Sequence, residues 1–235
     1  MESPLEFKAI NPNKGEPSMK KIAVILSGCG NKDGAEITEA VSLLISLSQN
    51  GAQYMCFAPN IEFNAVNFLT NESLSEKRNV LTEAARIARG QIQDLATLNT
   101  SQFDGLAFVG GYGAAKNLCN WAEAGAHCKV LPDIESTIKS FYQASKPIAA
   151  ICIAPVLLAK VLGSQKVTVT VGNDKETILE VLKTGAQHEI CPVDDYVTDR
   201  ETKVITTPAY MYGNAKPHEV FKGIAGLAKE LVEMA

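Results

Sequence analysis

The chain has 235 residues, 46% hydrophobic and 20% charged, with a formal net charge of −4. This length fits one α/β domain with a large core, and the balance is that of a globular chain and not of a disordered one. No basic stripe is interleaved with aromatics, which argues against a nucleic-acid partner, and no apolar run approaches the roughly 20 residues of a membrane helix.

Residues 1–18 mix Glu2, Glu6, Lys8, Lys14 and Glu16 with three prolines. They have neither the apolar core of a signal peptide nor the Arg-rich, acid-poor bias of a transit peptide, so they read as a mobile leader before a single domain over 19–235. Six cysteines, at positions 29, 56, 119, 128, 152 and 191, form no C-x-x-C pair and no Cys/His spacing that closes a zinc site. The expectation is free thiols in a reducing compartment, a cytoplasmic location and no metal. Cys56 and Cys191 read as small buried hydrophobes.

In chain order, the apolar run Lys21–Ser27 predicts a strand ended by Gly28-Cys29-Gly30. Ile37, Val41, Leu44 and Leu47 then recur at helical spacing until Asn50-Gly51. Gln53–Ala58 predicts a second strand, followed by a polar loop and a helix marked by Val80, Ala84 and Ile87 that stops at Gly90. Asp104–Val109 predicts a strand closed by Gly110-Gly111. A short segment around Ala114–Cys119 and a helix carrying Ile134, Ile138 and Phe141 lead to a strand at Pro147–Cys152. Pro155–Leu162 reads as helix, Lys166–Val171 as strand and Asp174–Lys183 as helix. Two short strands, Tyr196–Thr198 and Lys203–Thr207, precede a closing helix with Val220, Ile224, Leu227 and Leu231 on one face.

Apolar strands alternating with helices indicate βαβ units, hence a mostly parallel sheet with helices on both faces. Ligands in such sheets gather beyond the carboxyl ends of the strands, where the winding reverses. Three strand exits stand out there: Gly28-Cys29-Gly30 leading to Glu36 and Glu39, Gly110-Gly111-Tyr112-Gly113, and Ile151 to Pro155 around Cys152. A nucleophile directly after a strand and before a helix is lifted above the sheet, where peptide dipoles favour thiolate. Cys152 is therefore the candidate nucleophile, with a packed core thiol as the plain alternative. Gly110 and Gly111 offer N–H groups to an oxyanion, or simply end a strand. Glu36 and Glu39 share roughly one helical face, so either can lean toward Cys152, and capping alone also explains either one. Cys29, at the same sheet edge, is a possible redox partner for Cys152.

The segments SGCG at 27–30, DGAEITEAV at 33–41, GGYGAAKNL at 110–118, ICIAP at 151–155, CPVDD at 191–195 and TTPAYM at 206–211 occur in an order that resembles the ElbB family. That family lies in the ThiJ/PfpI superfamily of the class I glutamine amidotransferase-like fold. The resemblance runs from about Lys20 to the C-terminus. It implies a flavodoxin-like three-layer sandwich, an elbow cysteine at Cys152, a glutamate on the first helix bonded to it, and an oxyanion site at Gly111 and the N–H of Ile153. Counting back from Gly51 favours Glu39 as the thiol partner, whereas the extra loop residues after Gly28 would bring Glu36 there.

The resemblance further implies a glyoxalase III-like activity, converting methylglyoxal or glyoxal to a hydroxy acid without glutathione, metal or other cofactor. A link to isoprenoid metabolism, a small aldehyde as binding partner and a homodimer are implied too. Many superfamily hydrolases carry His after the elbow Cys, but Ile153 stands here, and the C-terminal His-x-Glu of glutamine amidotransferases is absent. His127, His188 and His218 lie in polar stretches and read as surface residues. The expected enzyme is thus a Cys-Glu lyase, and its alternative is a non-catalytic redox sensor or interaction protein working through oxidation of Cys152. An amidotransferase-like domain serving a synthase would need the missing histidine.

Overall fold

Buried parallel strands need apolar residues on both faces, and β1 (Lys21–Ile25) supplies them, with only Lys21 exposed. In the computed structural model, which describes residues 19–235, β1 lies inside a seven-stranded sheet. Beside it run β2 (Gln53–Ala58) and then β5 (Ile92–Asp94) on one side, and β6 (Gly105–Phe108), β7 (Ile148–Ile151) and β11 (Val204–Thr207) on the other. All of these pair in parallel, and only β10 (Val197–Asp199), outside β11, is antiparallel. The chain builds outward from β1 through β2 to β5, then returns beside β1 as β6. The winding therefore reverses between β1 and β6, where α/β sheets open a crevice.

The period of two along β1 divides the core. Ala23 and Ile25 face one layer with Phe57, Phe108, Ile134, Phe141 and Leu157, while Ile22, Val24 and Leu26 face the other with Leu43, Leu47, Val80, Ile224 and Leu231. The first layer holds α5 (Pro132–Gln143) and α6 (Pro155–Leu162), and the second holds α1 (Ile37–Gln49), α2 (Val80–Ile87) and α8 (Pro217–Met234). The result is the expected α/β sandwich with a mostly parallel sheet and helices on both faces. The expected leader, residues 1–18, lies outside the described residues.

Three local readings change. The polar loop after β2 folds as an antiparallel hairpin, β3 (Glu62–Val66) with β4 (Ser73–Asn79). Only β3 has an inward face, with Phe63 and Ala65 between exposed Glu62 and Asn64, and β4 is polar apart from Leu74, so the alternation is too short to mark a strand. The strand expected at Lys166–Val171 shrinks to β8 (Thr168–Val169), which pairs with β9 (Gln187–His188) outside the main sheet. Side chains take its remaining donors: Thr170 N–H donates to Thr206 Oγ1 at 2.9 Å and Val171 N–H to His188 Nε2 at 3.1 Å. Finally, α1 is rotated from its expected face. It buries Glu39, Ala40, Leu43, Ser46 and Leu47, and leaves Ile37, Val41 and Ile45 exposed.

Candidate functional site

β1, β6, β7 and β11 are consecutive neighbours, so four strand exits meet at one sheet edge. The exit of β1 is stitched to that of β6. Glu36 N–H donates to Gly110 O at 3.0 Å, Tyr112 N–H to Asn31 O at 2.7 Å and Gly113 N–H to Gly34 O at 3.0 Å. Asn117 Nδ2 fastens the same loop, donating to Ser27 O at 2.9 Å and Asp33 O at 2.8 Å. Gly111, at φ +92°, has no space for a Cβ, which would stand 2.4 Å from Gly34 O. It opens the short helix α3 (Tyr112–Lys116).

Cys152 follows β7 directly and has φ +62°, a left-handed conformation that is strained for a residue with a Cβ. Its N–H donates to Thr207 O at 2.9 Å, which ties the elbow to β11. Pro155 starts α6 at a position where the N–H it lacks is not needed. The residue is 7% exposed and lines a cleft of about 1150 Å³.

Glu39, fully buried, lies behind Cys152. Its Oε1 accepts the Tyr210 N–H at 3.3 Å, while Oε2 has no partner of full hydrogen-bond geometry. Gly110 leaves room for both groups, since a Cβ there would stand 2.4 Å from Glu39 Oε2 and 2.4 Å from Cys152 Cβ. Burial, and then the charge of Glu36, push the Glu39 carboxyl up to about 8, against the pull of the Tyr210 N–H, the Cys152 thiol and the Gly110 N–H. Below that value Glu39 carries a proton. Burial and then the Glu39 charge also push the Cys152 thiol well up, while the Gly111 and Ile153 N–H groups pull it down. The upward causes are the larger. The thiolate expected from the elbow is thus countered by desolvation, and the resting pair is a neutral acid beside a neutral thiol.

The two glutamates separate by position. Glu36 is the N-cap of α1, its Oε2 accepting the Glu39 N–H at 2.7 Å, and it faces the cleft. It also acts on Glu39 through its charge. Gly110 offers its N–H to the Glu39 carboxyl, whereas the N–H groups of Gly111 and Ile153 approach the sulfur. Cys29 is not brought to the cleft. It is half-buried, and the charges that act on it are those of Glu83, Arg86 and Asp33. Cys56 and Cys191 are buried, at 1% and 3% exposure. His127 and His218 are exposed, whereas His188 is partly buried: its Nε2 accepts the Val171 N–H, and burial pushes its pKa down.

The sequence reading gave no role to the β11 exit, where Tyr210 and Met211 line the cleft beside Cys152. Its available signal was Pro208 ending an apolar strand next to β7. Trp121, Glu123 and His127 also line the cleft, and Asp174, Glu176 and Glu180 make its lining acidic. Among the described residues no cluster of three or more His, Cys, Asp or Glu could hold a metal, and no helix is long and apolar enough to cross a membrane.

The chain is 40% identical to the human "glutamine amidotransferase-like class 1 domain-containing protein 3, mitochondrial", across 97% of this chain and 92% of that protein. It is 42% identical to the rat "ES1 protein homolog, mitochondrial", across 91% and 84%. A crystal structure of an isoprenoid biosynthesis protein with an amidotransferase-like domain from Ehrlichia chaffeensis superposes with a TM-score of 0.84 at 37% identity, covering 91% of this chain and 99% of that one. The expected cytoplasmic location is overturned by the mitochondrial relatives. Free thiols require a reducing compartment, and the cytosol is only one of these. The DJ-1/PfpI family model matches residues 21–209, and the chain belongs to that family.

Proposed function

We propose that the protein is an ElbB-like, glyoxalase III-like lyase that converts small 2-oxoaldehydes to 2-hydroxy acids through Cys152 and Glu39. The observation that carries this reading is the buried Glu39 carboxyl, near its midpoint of ionisation at about 8, set against an elbow cysteine that lines a cleft. The acidic cleft, with one Lys183 against Glu36, Glu123, Asp174, Glu176 and Glu180, suits an uncharged aldehyde better than an anion.

In this mechanism the Cys152 sulfur adds to the aldehyde carbon and the thiol proton passes to the aldehyde oxygen, giving a hemithioacetal. The ionised Glu39 takes the hydrogen of that carbon as a proton, leaving an enediolate, and returns it to the adjacent carbon. A thioester results, which water cleaves to the hydroxy acid and the free thiol. The Gly111 and Ile153 N–H groups stabilise the oxyanion of the adduct. No step needs a histidine at position 153. The link to isoprenoid metabolism is part of the proposal and is supported by the name of the Ehrlichia relative.

Methylglyoxal supplied without glutathione tests the reading: many equivalents of lactate per chain are expected from the wild type, and none above background from Cys152→Ala. Turnover that stops near one equivalent favours the alternative, a redox sensor at Cys152. The homodimer is proposed as well, with exposed Ile37, Val41 and Ile45 on α1 as a contact surface. Sedimentation should give a dimer mass that Val41→Asp reduces to a monomer.

A further inference from the structure

Cys119 and Cys128 bracket the segment that forms one wall of the cleft. Between them lie α4 (Trp121–Ala124) and a 3-10 turn, Gly125–His127. The neck of this loop is a short antiparallel ladder, with Cys119 bridged to Val130, Leu131 N–H donating to Leu118 O at 2.9 Å, and Asn120 N–H donating to Lys129 O at 3.3 Å. Alternate residues of a ladder share a face, so Cys128, two before Val130, is the diagonal neighbour of Cys119 on the same face. Both thiols are buried in one apolar cluster, and all six cysteines are free.

The two thiols differ in reactivity. Each acts on the other's protonation: contact with Cys128 and burial push Cys119 up, while contact with Cys119 pulls Cys128 down, aided by Lys160. Cys128 and Lys160 also line a surface cavity of about 380 Å³, which gives a small oxidant a route to that sulfur.

We propose that Cys119 and Cys128 form a reversible disulfide that locks the neck of the 120–127 loop and thereby sets the cleft wall. The Cys128 thiolate attacks one oxygen of hydrogen peroxide and the O–O bond breaks. The departing hydroxide takes a proton and leaves as water, and Cys128 becomes a sulfenic acid. The Cys119 sulfur then attacks the Cys128 sulfur, and its proton leaves with the displaced hydroxide as a second water. Two thiols lose two electrons, and one peroxide becomes two waters. A dithiol reductant reverses the bond by exchange. The loop carries Trp121, the only tryptophan, and Trp121, Glu123 and His127 all face the cleft. Bond formation itself is independent of the glyoxalase reading, and only its effect on turnover rests on that reading.

The test uses the full chain carrying Cys152→Ala, so that oxidation of the elbow cannot contribute. Peroxide treatment followed by non-reducing peptide mapping should give a crosslink between the peptides containing residues 119 and 128. Tryptophan emission should shift at the same time, and dithiothreitol should reverse both. Adding Cys119→Ala or Cys119→Ser should abolish the crosslink and the shift, and leave a dimedone-reactive Cys128. Two free thiols after peroxide, a link to any other cysteine, or an emission shift that persists without Cys119 overturns the proposal. If the crosslink forms while reduced wild type makes no lactate, the glyoxalase reading falls and the disulfide stands.

Discussion

The elbow at Cys152 and the loop neck at Cys119 and Cys128 both place a buried thiol beside a second titratable group, the first lining the cleft and the second at the base of a loop that lines it, yet they are built for different chemistry. At the elbow the neighbour is a carboxyl, and the backbone is strained to hold sulfur and carboxyl together. At the neck the neighbour is another thiol, with Lys160 nearby, and the backbone is a relaxed ladder. Proton transfer suits the first pair and electron transfer suits the second. A cysteine's role follows from its partner more than from its burial, since all three lie within a few per cent of full burial.

The largest expected effect comes from filling the space between Cys152 and Glu39. Gly110→Ala puts a Cβ 2.4 Å from both groups, so lactate formation should fall at least ~100-fold, with a loss of stability of about 1–3 kcal/mol from overpacking. Unchanged kinetics would mean that the two groups need not touch. The neck should be unaffected, and its peroxide crosslink should form as in the wild type.

Next in size is the stability cost of Glu39. Its folded pKa of about 8 lies above the ordinary value of 4.5, so folding favours the protonated form. The stability this contributes is complete below 4.5 and is lost as pH rises toward 8, to a bound of roughly 5 kcal/mol at 1.36 kcal/mol per unit. Relative to Glu39→Gln, the wild type should therefore lose Tm steadily across that window. Parallel Tm curves for the two proteins would contradict a raised carboxyl.

A smaller effect separates the two glutamates. Glu36→Gln keeps an acceptor for the Glu39 N–H but removes the second-largest cause holding the Glu39 pKa up. The acid limb of the pH–rate profile should move to lower pH, raising turnover a few-fold at neutral pH. A drop of ~100-fold would instead make Glu36 the proton-transfer group. Smallest of all, Cys119→Ala under reducing conditions should change lactate formation by less than about twofold, because Cys119 is no part of the Cys-Glu pair.

Sequence alone exposed the elements with a strong local signature. β1, β2 and β7 are apolar runs, and Pro155 marks the start of α6. The β3–β4 hairpin escaped because β3 turns only two residues, Phe63 and Ala65, inward between exposed polar ones and β4 is polar apart from Leu74, while the strand expected at Lys166–Val171 is cut short to β8 because side chains take its remaining donors. At the site, the type of each residue was legible but its orientation was not. Periodicity assigned α1 a face through Ile37 and Val41, whereas tertiary packing buries Glu39 and Leu43. Tyr210 acts through a backbone N–H, which no side-chain pattern reveals. The Cys119–Cys128 neck depends on a loop closing on itself, which the spacing of two cysteines does not specify.

The pH–rate profile of lactate formation from methylglyoxal, measured for the wild type and Glu39→Gln between pH 6 and pH 10, tests the central claim most directly. The account predicts a wild-type rate that climbs through a midpoint near 8, where Glu39 ionises, and a Glu39→Gln rate reduced roughly 100-fold with that limb gone. A wild-type profile flat across this range, or a Glu39→Gln enzyme with wild-type turnover, would contradict the assignment of Glu39 as the group that moves the proton.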